Sequence, residues 1–168
     1  MSATYPTTAR ILAERALEMA CGQLCVDWAV GLLVEGHSGH YVQMLASLDP
    51  PLNPFEVADL RDRTLREMGA SALVGPQAIL TYARELLIGL LQGQGEIVDV
   101  LATLKDLCIR HDYDRDLFDF YRLFFAYRDL QTTANQWYWP GASRDNIESI
   151  VLQRAAQFVE SRLGELPA

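Results

Sequence analysis

Three residue types from which function is often read are scarce in this chain: lysine, histidine and cysteine. One lysine, Lys105, and thirteen arginines stand against 22 acids, for a net charge of −8 over 168 residues. Nucleic-acid binding needs a concentrated Lys/Arg surface that releases counterions from phosphates. Here the arginines are scattered among acids, as in DLRDRTLRE (59 to 67), where Asp59 to Arg63 and Asp62 to Arg66 have the spacing of helix-surface pairs. No apolar run approaches the roughly 18 to 20 residues that span a bilayer. MSATYPTTARILAERALEMA lacks the charged start, apolar stretch and cleavage site of a secretory signal, so a cytoplasmic location is expected.

The three cysteines are Cys21, Cys25 and Cys108, an odd number, and the first two are one helical turn apart, which reads as reduced cysteines in a core. Two of the three histidines, His37 and His40, lie with Glu35 in EGHSGHY. Without a fourth ligand nearby, without H-E-x-x-H and without paired Glu-x-x-His, that stretch reads as a polar turn, and no metal or cofactor is expected. The chain also lacks a G-x-S-x-G elbow and any Gly-rich phosphate or dinucleotide loop.

What the chain does have is helical periodicity almost throughout, and a composition half hydrophobic and one-fifth charged, which suits a packed core. Helices are expected at about Thr8 to Cys21, 23 to 36, Tyr41 to Leu48, from Asn53-Pro54-Phe55-Glu56, from Gly75 to about Leu91, from Glu96 to His111, across the segment from His111 to Leu130, and from Ser143 to about Leu163. The strongest local signal is Asn53-Pro54-Phe55-Glu56: a capping asparagine, proline at the first helical position and a glutamate able to reach back. Short linkers mark no boundary, so the expectation is all-α: one domain over 1 to 168, an irregular bundle of seven or eight helices. LLVEGHSGHYVQMLASL (32 to 48) and LLQGQGEIVDVLATL (90 to 104) echo one another, which the limited vocabulary of amphipathic helices explains better than duplication.

The densest stretch is HDYDRDLFDFYRLFFAYRDL (111 to 130). On a wheel of 100° per residue, Leu117, Phe118, Phe120, Tyr121, Leu123, Phe124, Phe125, Tyr127 and Leu130 cover about two-thirds of the circumference, which predicts a central helix. Arg115, Asp119, Arg122, Ala126 and Asp129 fall on the face left for water. Arg128 projects into the apolar arc and would need a partner if buried. Asp116 is expected in the first helical turn, where an acid favours the dipole. Asp112, Asp114 and Asp116 alternate ahead of the helix, suited to capping or to an acidic patch for a basic partner. Trp137, Tyr138 and Trp139 precede Pro140-Gly141 and so sit on a turn, either as a lid on the bundle or as an exposed anchor.

At WAVGLLVEGHSGHYVQMLASLDPPLNPFEVADL (28 to 60) the chain resembles a group of small, all-helical, uncharacterised bacterial proteins. The shared features are Trp28 in an apolar helix, L-L-x-E-G ending at Gly36, L-A-x-L ending at Leu48 and N-x-F-E ending at Glu56, about a fifth of the chain. The resemblance implies a helical fold. By analogy with small acidic helical proteins that act as immunity proteins, it implies a protein-binding inhibitor that blocks a toxin domain. In that reading Asp112, Asp114, Asp116, Trp137, Tyr138 and Trp139 contact the partner, a basic toxin domain by the same analogy, and no chemistry is involved. The alternative is a small-molecule-binding or enzymatic domain built around a buried Arg128 and acids such as Asp27, which requires a deep pocket.

Overall fold

A computed structural model describes residues 4 to 161, which among them form eight α-helices and no strand: α1 (Thr8–Ala16), α2 (Gly22–Val34), α3 (His40–Ala46), α4 (Pro54–Glu67), α5 (Gly75–Leu91), α6 (Ile97–Arg110), α7 (Phe118–Thr132) and α8 (Ile147–Ser161). The chain divides into two compact units, Met1–Tyr82 and Ala83–Ala168. The division falls inside α5, where an unbroken helical pattern carries no linker composition. No described helix is long and apolar enough to cross a membrane.

In the first unit α3 packs against both α2 and α4, and α1 against α2. The core gathers around Trp28, 1% exposed, with Ile11, Cys25, Leu32, Leu45, Val57 and Leu65. The indole is buried without loss because its N–H donates to Thr8 Oγ1 at 3.1 Å. Capping follows the residue chemistry. Asn53 accepts from the Phe55 N–H at 3.0 Å and Pro54 occupies the first turn of α4. The N-terminus of α3 is capped from a distance, since the Glu67 carboxylate accepts from the N–H groups of His40 (2.9 Å) and Tyr41 (3.2 Å). Glycine at 39 leaves room for that carboxylate, which a Cβ would push aside.

Cys21 and Cys25, expected as reduced cysteines, are joined as a disulfide with their Cα atoms 5.4 Å apart. α1 stops at Ala16, well short of Cys21, which instead forms the N-cap of α2. Both cysteines thus belong to one helix start, and one helical turn brings their Cα atoms within disulfide range. Of the two predicted pairs in α4, Asp59 to Arg63 forms at 2.8 Å, whereas Asp62 takes Arg61 at 2.9 Å and Arg15 at 3.8 Å.

In the second unit α7 packs against α6 and α8. Leu101, Leu104 and Cys108 of α6 meet a core that includes Phe120, Leu123 and Leu130 of α7, all at most 1% exposed. Phe120 stands edge-on to Phe158 of α8 at 5.6 Å. The two echoed sequences occupy equivalent places, each spanning a five-residue turn: 35 to 39 between α2 and α3, and 92 to 96 between α5 and α6. Their registers differ. Val42 is 2% exposed, whereas its counterpart Val98 is 40% exposed.

Candidate functional site

The wheel of α7 divides differently from the two-thirds apolar arc expected of it. Of the rings in the segment only Phe120 is fully buried, and the inner face is completed by Leu117, Leu123, Ala126 and Leu130. Ala126, expected on the water face, is 0% exposed. α6 and α8 approach the 120/123/126/130 face, so the 121/125/128 face is left half in solvent. Hydrophobicity alone does not distinguish the two faces.

The displaced rings make a ladder along the surface. Tyr113 meets Tyr121 edge-on at 5.6 Å, Phe118 stacks on Tyr121 at 5.4 Å, Tyr121 meets Phe125 at 5.0 Å, and Phe125 stacks on Tyr138 at 5.2 Å. Such offset and edge-on pairs add about 0.5 to 1.5 kcal/mol each beyond area burial, so the ladder holds its own geometry. Arg128 lies over its Phe125 at 4.7 Å, and beside it Lys105 lies over Phe124 at 4.8 Å and Arg122 over Trp139 at 5.2 Å.

Arg128 is therefore not a buried guanidinium. Its side chain is 55% exposed, and it reaches Asp129 at 3.4 Å. The helical spacing that put it among rings is right, but those rings border water. Asp27 is exposed and accepts from Gln23 Nε2 at 2.9 Å. The alternative of a pocket around a buried Arg128 and a buried Asp27 fails on both residues. Each is a solvent-facing group with a local partner.

The three leading aspartates separate. α7 begins at Phe118 with Leu117 as N-cap, so Asp116 precedes the helix and Asp119 is the acid of the first turn. Asp114 accepts from the Asp116 N–H at 2.8 Å and lies 3.3 Å from His111 Nε2, which turns it inward to hold the connection. Asp112 alone points freely outward. The acidic patch is thus reduced, because short polar side chains in a tight turn bond their own backbone. Beneath the turn, burial and then the negative charge of Asp114 push the Cys108 thiol from an ordinary 9.0 up to about 11. This keeps it protonated and unreactive.

The aromatic turn stands on an organised loop. The Gln136 carboxamide accepts from the N–H groups of Tyr138 (2.9 Å) and Trp139 (2.8 Å), and donates to the carbonyls of Trp139 and Ala142. Arg122 donates to the Tyr138 carbonyl at 2.9 Å, and Asn146 ties Ser143 and Gly141 together at 2.7 and 3.0 Å. On this frame Trp139 turns partly inward beneath Arg122, Tyr138 extends the ladder, and Trp137 is 90% exposed. A groove of 430 Å³ runs between Trp137, Trp139 and Pro140.

The structure thus brings Tyr138 and Trp139 against α7 at Phe125 and Arg122, leaves Trp137 beside them in solvent, and withdraws Asp114 from the surface. Sequence reasoning missed Tyr121, Phe125, Arg122 and Gln136. The 121/125/128 spacing was a usable signal for the first two. Nothing local marked Gln136. What the surface offers is ring faces, guanidinium groups and one free carboxylate, the repertoire of noncovalent protein recognition. No family model matches the chain, and no curated protein and no solved structure matches it.

Proposed function

We propose that the protein is a protein-binding inhibitor of the immunity type, which occludes a toxin domain with the aromatic ladder of α7 and the turn at Trp137, Tyr138 and Trp139. The single observation behind this reading is Trp137. An indole that is 90% exposed on a loop fixed by four hydrogen bonds from Gln136 contributes nothing to the core, yet its position is paid for in order. Tryptophan is enriched at the energetic centres of interfaces, and the backbone that presents this one is ordered before any partner arrives, which lowers the ordering cost of association. The net charge of −8 favours a partner of positive overall charge, steered over distances up to a Debye length.

The test is protection. Cells producing the toxin domain encoded beside this chain should survive when the wild-type chain is co-produced and die with Trp137→Ala. The purified pair should form a one-to-one complex whose association slows as salt is added. Survival with Trp137→Ala equal to wild type, or no complex with that toxin, would overturn the reading.

A further inference from the structure

At the opposite end of the ladder from Trp137 lies a second feature, formed where α6 ends. Helices α2, α4 and α5 close with the same motif: an N–H two residues past the cap returns to a carbonyl one turn back. His37 bonds to Leu32 at 2.9 Å, Ala70 to Leu65 at 2.8 Å and Gln94 to Gly89 at 2.8 Å. In each the residue between has positive φ and is glycine. α1 and α6 close in the same way without glycine, Met19 to Glu14 at 3.0 Å around Glu18 (φ 55°) and Tyr113 to Cys108 at 2.8 Å around Asp112 (φ 50°), but only in α6 does a second positive-φ residue follow, Tyr113 (φ 56°). Aspartate tolerates the left-handed region and a tyrosine does not do so readily.

That strain is not spent on burial. Tyr113 is 53% exposed and Phe118 is 39% exposed. The two rings, with Arg115 and Asp119, line a groove of 290 Å³, the bottom of the range for small-molecule sites and room for about one side chain. The charges here are unevenly matched. Asp119 is neutralised by Arg154 at 2.8 Å and lies 3.9 Å from Arg122, and Arg128 has Asp129. Arg115 has no ion-pair or hydrogen-bond partner among the described residues. Backbone strain held at a half-exposed ring is a feature of sites kept for use rather than for stability.

We propose that this groove seats one apolar side chain of the protein partner that lies beside a carboxylate, the rings taking the apolar part and Arg115 the carboxylate. The proposal rests on reading α7 as a contact surface and names the local chemistry of one end of it. A partner of positive overall charge is compatible with it, because steering acts on net charge whereas the groove acts on contact.

The experiment needs no partner. The full chain is titrated by NMR with phenylacetate, with phenylacetamide and with phenethylammonium, three probes alike in shape and different in charge. Phenylacetate should shift the amides from Tyr113 to Asp119 and bind about tenfold tighter than phenylacetamide, since a guanidinium–carboxylate pair is a charge-assisted, two-pronged bond. Arg115→Gln should erase that tenfold difference. Tyr113→Gly should abolish the shifts and leave the chain folded, because glycine accepts the left-handed conformation and the relieved strain offsets the lost contact with Tyr121. Tightest binding by phenethylammonium, shifts scattered away from the groove, no shifts at all, or an unchanged phenylacetate preference in Arg115→Gln would each overturn the proposal. Trp137→Ala should leave the titration untouched, so failure of the groove shows here and failure of the inhibitor reading shows in the protection assay.

Discussion

In the first unit a tryptophan on an apolar helix, Trp28, is 1% exposed and donates its N–H to Thr8; in the second, Trp137 is 90% exposed on a loop that holds its shape without it. The two units use the same helical vocabulary but place their tryptophans differently, while the first also leaves Phe55 of α4 85% exposed. The first invests its indole and its long-range hydrogen bonds in the interior and in caps, such as the Glu67 carboxylate on the start of α3. The second packs one aromatic of α7, Phe120, and lays Tyr121, Phe125 and Tyr138 along its surface, with Arg128 on the face of Phe125. A core needs only to exclude water, and rings held half in water add little to that.

The contrast can be broken by mutation. Trp28→Ala should lose about 3 to 5 kcal/mol of unfolding free energy in denaturant titration, from the cavity and the orphaned Thr8 hydroxyl. Trp137→Ala should stay within about 0.5 kcal/mol of wild type by the same measurement, as exposed substitutions usually do. A large loss from Trp137→Ala would mean that the loop is a lid and would erase the distinction.

Alkaline pH probes the second unit through Cys108. Because its folded pKa is raised, the unfolded thiol ionises first, and above pH 9.0 the unfolded state binds fewer protons than the folded one. Stability is therefore fully present below pH 9 and falls until about pH 11. The loss should be on the order of 2 to 3 kcal/mol and should vanish in Cys108→Ala relative to its own neutral-pH value, as followed by thermal unfolding across pH.

Smaller effects sharpen the comparison. Glu67→Ala should cost about 1 kcal/mol, the usual worth of a cap, and should increase amide exchange at His40 and Tyr41. Gln136→Ala should change global stability least while accelerating exchange at the amides of Tyr138 and Trp139, which lose their acceptor. Equal protection of those two amides in the variant would mean that the loop is ordered by something other than the glutamine.

The helices were legible because their signals are local. Asn53-Pro54 opens α4, α5 runs from Gly75 to Leu91 as its periodicity predicts, and the apolar stripe of α6 from Val100 to Cys108 is the buried one. Legibility failed where a choice depended on a neighbour. Which side of α7 faces inward is set by α6 and α8, so Ala126 went to the wrong face and Arg128 was assigned a burial it does not have. The start of α7 was misplaced because Asp114 bonds within the turn rather than capping a helix. The Cys21–Cys25 disulfide was hidden by an overlong α1. For the candidate surface, the aromatic turn was visible as a sequence, but its rigidity rests on Gln136, Arg122 and Asn146, whose loop hydrogen bonds follow from the fold.

The central claim is that the second unit keeps Trp137 in solvent for a partner and not for its own stability. Its most direct test is a pair of values on one variant, the unfolding free energy of Trp137→Ala and its affinity for the partner proposed above. The account predicts an unfolding free energy within about 0.5 kcal/mol of wild type together with an affinity loss of at least about thirtyfold, the 2 kcal/mol expected of an interface centre. Unchanged affinity, or a loss of stability as large as the loss of binding, would contradict it.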